Sequence, residues 1–132
     1  MILATIRMNI PAKKRDDALK ILRPIAEQCR DNPGCLSCHI YEDLKEYEVL
    51  MFEEIWMTEE NLEFHIRSDE YLRLLLVLEM ALKQPEIRFH TISRSTGIET
   101  IEMARSSIRR AQISEYGDGN KGTIKTKEGI QM

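Results

Sequence analysis

Apolar and polar positions alternate from the start of the chain. Ile2, Ala4, Ile6, Met8 and Ile10 interleave with Thr5, Arg7 and Asn9, the period of a half-buried strand. From Pro11 the spacing changes: Ala18, Leu22, Ile25 and Cys29 recur at helical intervals, which predicts a helix to about Asp31. Pro24 lies inside it and removes one backbone bond, so a kink is expected near Lys20 to Arg23. Asn32-Pro33-Gly34 is a strong stop. Two strands are predicted next, over residues 35–41 and 47–57. The second is apolar on both sides, with Leu50, Phe52 and Trp56 on one face and Val49, Met51 and Ile55 on the other. An antiparallel strand with one wet face does not read that way. Helices can cover one side, and a second subunit is the economical cover for the other.

Thr58 and Ser68 are candidate N-caps, each followed by two acidic residues that suit a helix N-terminus. They predict helices over 59–67 and 69–84. The longer one is apolar nearly all round its middle (Leu72, Leu74, Leu75, Leu76, Val77, Leu78), so it is expected to be mostly buried and to stop at Pro85. Residues 86–93 read as a fourth strand. The order β-α-β-β-α-β over roughly the first 94 residues is the ferredoxin-like α+β arrangement. Beyond it, Ile98, Ile101, Ala104, Ile108 and Ala111 step by three and four, an amphipathic helix that must bury its stripe. Residues 114–132 hold four glycines and few large apolar side chains, which predicts a mobile tail or an arm ordered by contacts. A domain over 1–95 and a C-terminal extension over 96–132 follow.

At 132 residues the chain suits one domain with a real core. Net charge is -3 without a long basic run, so no nucleic-acid partner is expected. The longest apolar run, Leu74 to Leu78, is far below a membrane span, and the Arg7-containing N-terminus reads as a strand rather than a signal peptide. Three cysteines, odd in number and unpatterned, suit a reducing cytoplasm. Cys35 and Cys38 form a lone C-x-x-C; on a strand, residues three apart point to opposite faces, which argues against a shared metal. His39 and His90 fall on opposite edge strands and could meet only across a dimer. Arg105, Arg109 and Arg110 read as the solvated face of the last helix. Dinucleotide and hydrolase motifs are missing from the sequence. No metal is expected.

The stretch from Glu53 to Tyr71, E-E-I-W-M-T-E-E-N-L-E-F-H-I-R-S-D-E-Y, carries the candidate chemistry. It holds the only tryptophan, with Glu54 and Phe52 on the same strand face, and then Leu62 and His65 three residues apart on one helix face. Trp56 is either a core aromatic beside a partly exposed acid or the wall of a pocket. His65 is either a satisfied core residue or, with an ordinary pKa near ~6.5, a proton acceptor working near neutrality.

The E-x-W followed by L-E-x-H resembles the antibiotic biosynthesis monooxygenase family of small dimeric α/β-barrel proteins, and most nearly its quinol-monooxygenase type. The resemblance implies a homodimer made by packing two such sheets into a barrel. It implies a pocket for a small aromatic or quinone-like ligand walled by Trp56 and Phe52, with Tyr71 also on the substrate. It further implies that His65 takes a proton from a quinol or polyphenol, that Glu54 orients it, and that the resulting phenolate gives electrons to oxygen without a bound cofactor. The chain departs from some relatives: its long helix lacks the histidine that ligates haem, Glu70 stands where autoinducer-processing members have a second histidine, and the strand before Trp56 lacks an asparagine. A non-catalytic dimeric binding or stress-response module of the same fold is the alternative.

Overall fold

The computed structural model describes residues 1–116 of the chain. They fall into two units, Met1–Ser93 and the segment from Arg94 onward. In the first unit β1 (Ile2–Asn9) buries every even-numbered residue, as its alternation predicts. A 3-10 turn over Ala12–Lys14 precedes α1 (Arg15–Arg30), so the helix starts four residues after Pro11. Ala18, Leu22, Ile25 and Cys29 form its buried stripe, and it runs through Pro24 without interruption. β2 (Cys35–Glu42) and β3 (Val49–Trp56) follow, then α2 (Glu59–Ile66), α3 (Asp69–Leu78) and β4 (Glu86–Thr91). The sheet is antiparallel with order β2-β3-β1-β4, the ferredoxin-like topology. α1 packs on β2 and α3, and α2 on β3 and α3, so one sheet face is covered by helices.

Thr58 and Ser68 cap α2 and α3 as the sequence indicates; each side chain accepts a hydrogen bond from the backbone N–H three residues on. α3 departs from expectation. It ends at Leu78 rather than near Pro85, because the chain turns there through Met80 and Ala81 and Leu82 N–H donates to Asn9 O at 2.8 Å, which ties the segment to the end of β1. Only Tyr71, Leu74 and Val77 are buried, one stripe, while Leu72 and Leu76 are 60% and 54% exposed. The helix is therefore one-sided, not buried all round.

Two further readings are corrected. A β-bulge between Cys35 and Ser37 shifts the register of β2, so that Cys35 lies opposite Trp56 and Cys38 opposite Glu54. Trp56 and Glu54 are two apart on one face of β3; the two cysteines therefore share that core-directed face instead of pointing apart. Glu54, expected to be partly exposed, is 2% exposed. On the second face of β3, Val49 is buried and Met51 and Ile55 are half-buried.

In the second unit α4 spans Ile98–Tyr116, which takes the helix into the region expected to be tail. Residues 117–132 of that expected tail lie outside the described residues. Ile98, Ile101 and Ile108 of the predicted stripe are exposed in the single chain. Among the described residues no helix is long and apolar enough to cross a membrane.

Candidate functional site

Three elements converge below the helix layer. α1 delivers Cys29 from the end of its buried stripe, β3 delivers Glu54 from its core face, and α2 delivers His65 from its last turn. His65 is held by its backbone: Ser68 N–H and Ser68 Oγ both donate to His65 O, at 3.0 and 2.6 Å, and Ser68 Oγ in turn accepts from Tyr71 N–H. One serine thus caps α3 and fixes the end of α2. Aromatic rings fix the imidazole. Trp56 stacks on it with centroids 4.7 Å apart, and Tyr71 meets it edge-on at 5.2 Å.

His65 Nε2 lies 2.7 Å from Glu54 Oε2. The Cys29 thiol sits against both, with Sγ 3.5 Å from Glu54 Oε2 and 3.5 Å from His65 Nε2. All three side chains are buried. Burial alone would pull the His65 pKa down; hydrogen bonds with Cys29 and Glu54, together with the Glu54 charge, outweigh it and raise the value to about 9. The position of His65 in the last turn of α2 works in the same direction, since helix C-terminal carbonyls favour a cation. His65 is therefore an imidazolium at neutral pH. Cys29 goes the other way: its contact with the Cys38 thiol, then burial, then the Glu54 charge hold it as a protonated thiol. Burial, then the Glu54 charge, push Tyr71 up to about 12, so it stays a phenol.

His65 and Cys29 line a small cleft of about 100 Å³ together with Ile25, Gln28, Asn32, Phe64, Ser68 and Glu70. The structure brings His65, Glu54, Trp56 and Tyr71 into one cluster, yet only His65 of these reaches the cleft. Trp56 and Phe52 are fully buried core residues, and Trp56 Nε1 has no hydrogen-bond partner among the described residues. A second cleft, of about 320 Å³, lies at Arg15, Leu19, Arg23, Ile40, Tyr41, Glu42 and Leu50. Its buried Arg15 is already satisfied by Tyr47 O, by Glu42 and by the Tyr47 ring, which marks a structural role.

Cys29 is the member that sequence reasoning assigned to core packing alone. Helical spacing places it on the buried side of α1 but cannot say what it faces; only the sheet order sets that side over Glu54. Among the described residues, Cys29, Glu54 and His65 are the one group of three whose potential ligand atoms all lie within 4.8 Å of one another. The cluster can hold a proton between an imidazole and a carboxylate, stabilise an anion in the cleft, or offer sulfur, oxygen and nitrogen to a cation.

A family model described as antibiotic biosynthesis monooxygenase matches residues 1–75, a span that contains the whole cluster. The uncharacterized protein sll1783 of Synechocystis is 27% identical over 90 residues; the match covers 66% of this chain and 61% of that relative, so the chain spans under two thirds of its length. A conserved protein from Methanosarcina mazei Go1 has a similar structure, with a TM-score of 0.64 and 26% identity over 67% of this chain and 89% of its own. A Deinococcus radiodurans protein provisionally named an antibiotic biosynthesis monooxygenase superposes with a TM-score of 0.68, at 18% identity over 74% of this chain and 98% of its own.

Proposed function

The chain belongs to the antibiotic biosynthesis monooxygenase family, and from that premise we propose a cytoplasmic homodimeric monooxygenase of small quinols or polyphenols, working without a bound cofactor, in which the Glu54–His65 pair takes the substrate proton. The observation that carries this reading is the 2.7 Å contact between Glu54 and His65 beside a cleft that His65 lines. A phenol has a pKa near ~10. An imidazole at about 9 accepts its proton almost without an uphill step, whereas an ordinary imidazole near ~6.5 would face several units. The raised basicity leaves little free base at neutral pH, but it matches the donor. His65 then carries a positive charge beside the phenolate, with Glu54 as its counter-ion.

The reaction balances without an added reductant. A quinol with one ring C–H takes up O₂; one oxygen atom forms the new C–O bond, and the O–O bond breaks. The second oxygen leaves as water with the two hydroxyl hydrogens, and the quinol, giving up four electrons, becomes a hydroxyquinone. Residue roles follow: His65 accepts the proton that starts electron release, Glu54 orients the ring and stabilises the imidazolium, and Trp56, Phe52 and Tyr71 shape the surroundings of the imidazole. Oxygen uptake against a panel of reduced quinones and naphthols is the test. Uptake that falls at least about 10²-fold in a folded His65→Gln variant supports the reading; uptake unchanged by that substitution ends it.

One observation favours the non-catalytic binding module instead. Trp56 is 0% exposed, and the cleft, at about 100 Å³, is below the ~300–1,000 Å³ of usual ligand pockets. A module of that kind would bind the same quinols without consuming oxygen, so the panel separates the two readings.

A further inference from the structure

We propose that Cys29, Glu54 and His65 form a binding site for a zinc-class divalent metal ion, ligated through Sγ, Oε2 and Nε2, with its fourth position open to the cleft. The geometry is the first support. A tetrahedral ion with bonds of ~2.3 Å to sulfur and ~2.1 Å to nitrogen and oxygen sets sulfur about 3.6 Å from each of the other two ligands, and those two about 3.4 Å apart. Here sulfur is 3.5 Å from Nε2 and 3.5 Å from Oε2, and Nε2 is 2.7 Å from Oε2. Two sides of the ligand triangle already have nearly the length an ion requires. The third opens by well under 1 Å once an ion replaces the shared proton.

Charge is the second support. A thiolate and a carboxylate together neutralise a divalent ion. The loaded site is therefore neutral in a cluster whose members are 3%, 2% and 6% exposed, which offsets part of the cost of burying an ion. Chemistry narrows the choice of ion. Calcium and magnesium take oxygen ligands, whereas a mixed sulfur, nitrogen and oxygen set suits zinc and its cobalt surrogate. Because Cys29 and His65 line the cleft and Glu54 does not, an ion enters from the cleft side and keeps that side for a water or a substrate oxygen. Three protein ligands and one open position is the pattern of a reactive rather than a purely structural metal.

Nε2 and Oε2 are the atoms of the proposed proton acceptor, so metal and proton exclude each other there. This consequence rests on the oxygenase reading; the metal site does not. Cobalt(II) titrated into the full-length protein should give thiolate-to-cobalt charge transfer and four-coordinate visible bands, saturating at one ion per chain and bleached by zinc. The charge-transfer band should vanish in both Cys29→Ser and Cys29→Ala, with folding checked by circular dichroism. Affinity should fall by at least about 10²-fold in Glu54→Gln and His65→Gln. A missing charge-transfer band, or one that survives loss of Cys29, overturns the proposal, as does unchanged affinity in both Glu54→Gln and His65→Gln. Oxygen uptake is followed in parallel. Zinc at one equivalent should stop quinol turnover; metal binding in a protein that never consumes oxygen would uphold the site and sink the oxygenase reading alone.

Discussion

A histidine buried against a tryptophan face is ordinarily neutral, and His65 is held charged because Glu54 and Cys29 outweigh burial. The sign for stability follows from the raised pKa. His65 binds its proton more tightly in the folded state than in the unfolded one, where its value is near ~6.5. Its contribution is full below pH ~6.5 and is lost as pH rises through about 9. The loss is on the order of 3 kcal/mol, so thermal melts should fall between pH 6 and pH 10, and that fall should be much smaller in His65→Gln. On the same site, His65→Ala should lower quinol turnover by about 10²–10⁴-fold in the enzyme reading, measured against the folded fraction. The inward placement of His65 was legible from its spacing to Leu62. The burial of Glu54 was not, because the segment shows only that it shares a face with Trp56 and Phe52, not that α1 and α2 close over it. Cys29 was invisible as a partner for the same reason.

At the scale of elements, turn and cap chemistry was the most legible part of the chain. Thr58 and Ser68 start α2 and α3 as read from their acidic followers. Ser68→Ala removes the Tyr71 cap and the hydroxyl bond to His65 O together, leaving the Ser68 backbone bond. We expect a loss of about 1 kcal/mol by denaturant unfolding, with a cap's usual magnitude, and a shifted His65 titration. Gly34 is a second sensitive point. A Cβ there would lie 2.8 Å from Asn61 Cβ and 2.5 Å from Asn61 Cγ, and Asn61 is tied to Thr58 at the start of α2. Gly34→Ala should therefore destabilise by about 1–3 kcal/mol and displace the helix that carries His65. Local pattern failed where long-range bonds decide. The end of α3 depends on Leu82 reaching Asn9, and the shared face of Cys35 and Cys38 depends on a bulge that no short-range rule signals.

For the whole molecule, the β-α-β-β-α-β order was legible from periodicity, and the sheet order β2-β3-β1-β4 completes it. What lies against the open sheet face was not. Met51 and Ile55 are half-buried there, paired with Arg7 and Leu3 of β1. We propose that a second copy covers the Val49, Met51 and Ile55 face, because apolar positions on an uncovered sheet favour isologous association. Sedimentation at micromolar concentration should give a dimer, and Met51→Lys should give a folded monomer. A wild-type chain that sediments as a monomer would refute the interface.

The claim on which the rest depends is that Glu54 holds a proton on His65. With three histidines in the chain, imidazole resonances can be assigned by substitution and followed by NMR across pH. His65 should titrate near 9 in the wild-type protein and several tenths of a unit or more lower in Glu54→Gln. A His65 resonance that titrates at or below ~6.5, or one indifferent to Glu54→Gln, would contradict the account.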